Sequence, residues 1–283
     1  MVAENTRRSI LCPSCKRLIS QDEPTCPYCG VANPGSWLRN NPLTRMYLDP
    51  ALIIKSIIIT NVAFFIFSVI LNPSSLGLSM NPFALFSPSN QALLLLGATG
   101  TIPIDQFNRW WTLISASYLH GGIIHIFFNM MVLRQIAPLI MQEYGLNRMI
   151  ILYTLGGVIG FYISYLAGIP FTIGASASLF ALIGSILYYA KSRGGAYGQA
   201  IFKQVGGWVI ALFIFGFLFP GINNWAHGGG LVAGVGLAYI LGYNDIRRES
   251  QAHKTIALSC ILATALILFW ALTSTLYYRI MLT

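Results

Sequence analysis

Long apolar stretches separated by short polar breaks make up most of this chain, near residues 51–71, 111–141, 149–167, 172–190, 205–221, 225–243 and 255–278. A helix rises about 1.5 Å per residue, so roughly 20 apolar residues cross the hydrocarbon core of a bilayer. The pattern therefore predicts seven transmembrane helices. The third stretch carries Gly156, Gly157 and Gly160, which predicts close helix packing and no chemistry. Between the fourth and fifth, residues 191–204 read as a polar loop with Gly194, Gly195 and Gly198. The stretch from Asn72 to Trp110 breaks the rhythm: it is rich in Pro, Ser, Gly and Asn, yet its run Leu93 to Leu96 is too short to cross. A loop of that length is usually functional or disordered, and its apolar content predicts partial burial in the outer leaflet, with Trp110 and Trp111 in the interfacial belt.

Composition excludes a soluble domain: 55% of the 283 residues are hydrophobic and 9% charged, with a mean hydropathy of +0.66. Orientation follows from lysine and arginine. Arg7, Arg8, Lys16, Arg17, Arg39 and Arg45 precede the first span, Arg134 and Arg148 flank the second turn, Lys191, Arg193 and Lys203 follow the fourth span, and Arg247, Arg248 and Lys254 follow the sixth. The amino terminus is thus expected in the cytosol and the carboxyl terminus, after seven spans, outside a cell (inner) membrane. The net charge of +9 follows from this asymmetry and does not read as nucleic-acid binding.

At the amino end, Cys12-Pro-Ser-Cys15 and, ten residues on, Cys26-Pro-Tyr-Cys29 make two thiol knuckles. Four thiolates so spaced suit a closed tetrahedral zinc site, which a reducing cytosol leaves available, and a module this small needs the metal to fold. The expected cofactor is therefore one structural zinc on Cys12, Cys15, Cys26 and Cys29, with none for catalysis. Disulfides are the competing reading. Residues 1–36 form this zinc-ribbon-like module, 37–50 a linker with Pro42 and Pro50, 51–243 a six-helix core, and 244–283 a cytosolic loop and seventh helix.

Chemistry is expected where ionisable or polar residues interrupt lipid-facing runs. Ser176 lies in Gly174-Ala175-Ser176-Ala177, which opens the fourth span; His227 opens the sixth within Ala226 to Gly234; His120, His125 and Asn129 belong to the second. A lone serine among small residues normally packs helices, and either second-span histidine alone could be a packing residue. Three features tilt the reading. The charge-derived topology puts Ser176, His227 and His120 at the exterior ends of their helices. Gly230 and Gly234 can meet Ala177, Ala181 and Gly184 or Ser185 nearly backbone to backbone. Ser176 with His227 then supplies a nucleophile and a base, the Ser176 amide, His120 and Asn129 supply oxyanion donors, and Phe180, one turn along, can brace the imidazole. All eight carboxylates fall in loops or at cytosolic ends, so the pair is expected to work as a dyad. Ser178 is turned about 200° from Ser176 and is expected to pack.

These residues resemble the rhomboid intramembrane serine proteases, whose pattern is Gly-x-Ser on the fourth helix, Ala-His-x-x-Gly-x-x-x-Gly on the sixth and His-x4-His-x3-Asn on the second. The resemblance covers the first through the sixth span. It implies an all-α polytopic fold with a six-plus-one helix arrangement, hydrolysis of peptide bonds in or beside the transmembrane helices of substrate proteins within the lipid bilayer, Ser176 and His227 as the dyad, and His120 and Asn129 as oxyanion donors. It also implies a membrane-embedded exterior loop and substrate entry beside the fifth span. The chain departs at Ala177, where glycine is usual, at Phe180, where tyrosine is common, and at Arg109-Trp110-Trp111, where the family carries Trp-Arg. An inactive client-binding relative would lack the serine or histidine, a transporter would want intramembrane carboxylates or a repeated half, and a zinc-anchored scaffold has only the knuckles in its favour.

Overall fold

A computed structural model of the chain describes residues 8–13, 17–28, 30–37, 50–71, 86–219 and 221–282. Contacts divide it into two compact units, Met1–Ile57 and Ile58–Thr283. In the first, β1 (Ser9–Leu11) pairs antiparallel with β2 (Leu18–Ser20), Ile10 opposite Ile19. Cys12 and Cys26 are buried in one small cluster with Ile19, backed by Ile10 and Val31. Cys12 N–H donates to the Arg17 carbonyl and Cys26 N–H to the Val31 carbonyl, both at 2.8 Å. Of the expected zinc ligands, Cys12 and Cys26 thus share one cluster, and Cys15 and Cys29 lie outside the described residues. Among the described residues alone no group of three potential metal ligands forms.

Seven helices of 18 residues or more are described: α1 (Pro50–Ile70), α4 (Ile123–Tyr144), α5 (Leu146–Leu166), α6 (Ser176–Arg193), α7 (Gly195–Leu218), α8 (Asn224–Leu241) and α9 (Gln251–Leu282). The short helices α2 (Asn90–Leu95) and α3 (Thr112–Ser115) precede α4. Five of the long helices are long and apolar enough to cross a membrane; α6 and α8, at 18 residues each, are not among them. α6 is buried along most of its length and α8 along one face: α6, α8 and α5 pack mutually, α7 lies on α6, and α9 lies on α5. Small residues permit this. A Cβ on Gly230 would stand 2.2 Å from the Ala177 carbonyl oxygen, one on Gly234 1.9 Å from that of Ala181, and one on Gly184 2.1 Å from that of Leu231. Gly156 and Gly157 of α5 admit Ala181 and Ser178 in the same way.

Two sequence expectations need correction. The second span starts inside its stretch, but later than a place for His120 on it requires: α3 and a 3-10 turn (Ala116–Tyr118) come first, Leu119 is extended, and α4 starts only at Ile123, after Gly121-Gly122. His120 therefore sits ahead of α4 and not on it. Residues 191–204 are not a loop either, because α7 begins at Gly195, directly after the Gly194 turn, and includes Lys203. Gly194, at φ +65°, makes the turn itself, and Gly198 inside the helix is buried, a Cβ there standing 2.5 Å from the Ala190 carbonyl oxygen.

The ends of the bundle opposite the starts of α6 and α8 are tied by a polar knot. Arg148 is fully buried; its guanidinium donates to the Tyr144 and Arg247 carbonyls and to Asn244 Oδ1, while Glu249 accepts from the Arg148 N–H at 3.0 Å and from Asn147 Nδ2 at 2.8 Å. This fastens the α4–α5 turn to the loop that leads into α9.

Candidate active site

Ser176 is the first residue of α6, so its N–H is among those a helix start leaves without an internal partner. The approach to it is held from outside the helix. Thr172 exchanges two backbone hydrogen bonds with Thr99, and Gly174 N–H donates to the Ala116 carbonyl at 2.9 Å. Gly174 has φ +124°, a backbone that side chains resist, and a Cβ there would stand 2.8 Å from His125 Nε2 and 3.6 Å from Ser176 Oγ. Both constraints demand glycine at this position, and the second puts His125 against the segment that carries the serine.

His227 is the fourth residue of α8, and its Nε2 lies 2.8 Å from Ser176 Oγ. The glycine contacts of α8 with α6 bring the two side chains this close. Phe180, one turn after Ser176, stacks on the imidazole with ring centroids 4.3 Å apart and 13° between planes. Phe213 of α7 backs Phe180 edge-on at 5.5 Å. His227 Nδ1 is buried and has no hydrogen-bond partner among the described residues, none of whose carboxylates orients the ring.

The other predicted residues lie at the same end. His120 is fully buried, edge-on to His125 at 5.0 Å, and neither of its nitrogens has a partner among the described residues. Asn129, one turn after His125 on α4, is 7% exposed and its Nδ2 is also unpaired. Ser178 is buried against Gly157, its Oγ 3.4 Å from Ser117 Oγ, and packs as expected. In the preceding segment Arg109 donates to the Leu94 carbonyl at 3.1 Å.

Sequence reading missed Asn223. Its Oδ1 accepts from Ala226 N–H at 3.1 Å, capping α8, and its Nδ2 donates to Ser164 Oγ at 2.6 Å and Thr172 Oγ1 at 3.0 Å. The available signal was an asparagine just ahead of an apolar run, the usual mark of a helix start.

Fold and site together define an integral multi-pass helical membrane protein with a serine and a histidine hydrogen-bonded inside it. Residues 108–244 match the Rhomboid domain family model, a segment that contains Ser176, His227, His120 and Asn129 and omits the amino-terminal module, α1 and α9. The chain is 31% identical to rhomboid protease GluP of Bacillus subtilis (strain 168) over 160 residues, covering 55% of this chain and 31% of that protein. It is 35% identical to RHOMBOID-like protein 5 of Arabidopsis thaliana over 192 residues, covering 60% and 61%, and 29% identical to Inactive RHOMBOID-like protein 8 of the same plant over 182 residues, covering 62% and 51%. These matches support the rhomboid family. The chain spans less than two thirds of the length of each of these relatives.

Proposed function

We propose that the chain is a rhomboid-type intramembrane serine endopeptidase that cleaves peptide bonds in or next to the transmembrane helices of substrate proteins. The observation that carries this reading is the 2.8 Å contact between Ser176 Oγ and His227 Nε2. Ser176 Oγ attacks the scissile carbonyl carbon while His227 Nε2 takes its proton. The tetrahedral oxyanion accepts from the Ser176 N–H, His120 and Asn129. On collapse the imidazolium protonates the leaving amine, an acyl-enzyme stays on Ser176, and water activated by His227 releases it. With Nδ1 unpaired, the Phe180 face does the work a carboxylate does elsewhere: it fixes the ring plane and attracts the imidazolium as charge develops.

The same reading gives α1 and α4 to α8 as six spans and α9 as a seventh, with a cytosolic amino terminus and an exterior carboxyl terminus. The Arg279 guanidinium at the end of α9 donates to the Leu71 carbonyl at the end of α1, in keeping with both helices running the same way. The amino-terminal module is a separate structural unit in which Cys12, Cys15, Cys26 and Cys29 hold zinc, which supplies folding energy and no chemistry.

The test is a fluorophosphonate probe on the purified chain in detergent, with the modified residue mapped, alongside cleavage of a single-pass membrane protein in proteoliposomes. Labelling at Ser176, lost in Ser176→Ala and in His227→Ala with the fold retained, is the expected result; cleavage by Ser176→Ala would refute it. His120→Ala and Asn129→Ala, which each remove one donor among several, should slow turnover by about 10²-fold, less than loss of the dyad.

A further inference from the structure

The dyad joins two helices, and a hydrogen bond between them survives only if their depths agree. The glycine contacts set how near α8 comes to α6, but a stripe of small residues permits sliding along the common axis. Something else must fix the register. We propose that Asn223 is a positioning residue that holds the first turn of α8 at the depth where His227 meets Ser176. This rests on the serine protease reading.

Its three side-chain hydrogen bonds reach three separate pieces of chain. The Oδ1 bond to Ala226 N–H settles the amide orientation, because a backbone N–H can only donate, and so directs Nδ2 at the two hydroxyls. Ser164 is fully buried in the last turn of α5, and Thr172 is nearly buried, four residues before Ser176. The Asn223 carbonyl accepts from the His227 N–H at 3.1 Å, so the residue that bears the imidazole hangs directly on the anchored one. Thr172 is in turn bridged to Thr99 through two backbone bonds of 2.7 and 3.1 Å, and Thr99 Oγ1 accepts from Thr112 Oγ1 at 3.0 Å. The segment ahead of the nucleophile and the helix that carries the base are thus clamped to one another above the dyad by a single amide.

Asn223 touches no reacting atom, so its loss should act through geometry. A misplacement near 1 Å costs about 100-fold in rate, and Asn223→Ala is expected to lower kcat and the fluorophosphonate labelling rate by about 10- to 100-fold while KM stays within about twofold. Thr172→Val keeps the shape and the α8 cap but removes one acceptor, and is the variant to use should Asn223→Ala fold poorly; about 10-fold is expected. The two changes act on one bond, so the double variant should be no slower than Asn223→Ala alone. Wild-type labelling at Ser176 is the control, and its absence would sink the protease reading itself. With that control in place, a wild-type labelling rate in Asn223→Ala or Thr172→Val, a change confined to KM, or effects that multiply in the double variant would each overturn the positioning role.

Discussion

Gly234→Ala, one methyl group on α8, should disturb the dyad from two turns away. The added Cβ would stand 1.9 Å from the Ala181 carbonyl oxygen and 2.7 Å from its Cα, where ordinary contacts start at 3.4 Å. Backbone cannot step aside as a flexible side chain can, so α8 must retreat by about 1.5 Å at this level. Asn223 pins its first turn, which makes the motion a tilt about that point. At 1.5 Å of rise per residue Gly234 lies roughly 16 Å from the pivot and His227 roughly 6 Å, so His227 moves by about 0.6 Å. The 2.8 Å dyad bond then stretches past a good hydrogen-bond length. We expect about a 10-fold slower labelling of Ser176, and overpacking should lower stability by roughly 1–3 kcal/mol. Gly236→Ala is the matched control: the same helix, the same methyl, and nothing within 4 Å of the new atom. It should label at the wild-type rate with unchanged or slightly higher stability. Wild-type labelling and melting in Gly234→Ala, or equal damage in Gly236→Ala, would refute the interlocked contact.

Arg148→Ala empties the buried knot and leaves the Tyr144 and Arg247 carbonyls unmet, so resistance to thermal or denaturant unfolding should fall by roughly 3 kcal/mol while Ser176, at the other end of the bundle, labels normally once folded. An unchanged unfolding curve would show that the knot contributes nothing. For the amino-terminal module, metal analysis of the purified chain should find about one zinc per chain, lost in Cys12→Ser or Cys26→Ser. Chelation should unfold the module and spare labelling at Ser176; metal-free protein with reactive knuckle thiols would rule the zinc out.

How much of this was legible depends on the range of the interaction. Helices announced themselves through apolar runs, and the partnership of Gly230 and Gly234 with Ala177, Ala181 and Gly184 could be read from small residues at helical spacing. Phe180 against His227 followed from its place one turn beyond Ser176. What escaped were contacts with no periodic signature. The Gly121-Gly122 break looked like part of an apolar run, because only the closed backbone bonds around Ala116 and Gly174 show that the chain leaves the helix there. The Arg148–Glu249 contact joins residues 101 apart; charge counting had used Arg148 only as a topology marker and had set Glu249 aside as a loop carboxylate. Asn223 reads as an ordinary cap until Ser164 and Thr172 are seen beside it.

That α6 and α8 fall short as membrane-crossing segments follows from the chemistry they carry. A helix that bears a serine or histidine for use must also carry small residues, so that another helix can bring the partner group within hydrogen-bond range, and both requirements lower its apolarity. Lipid is a poor neighbour for such a surface, while protein is a good one. Two of the more apolar helices face outwards: α7 exposes Ile210, Ile214, Phe217 and Leu218, and α9 exposes Leu266, Phe269 and Trp270. α6 is buried along most of its length, while α8 buries the face that carries His227, Gly230 and Gly234 and exposes Val232, Tyr239 and Ile240 on the other; the closest backbone approaches in the bundle fall between these two helices. Low hydropathy in a helix of the bundle is then a positive signal for a buried reactive site, provided that small residues recur on the same face as the polar one.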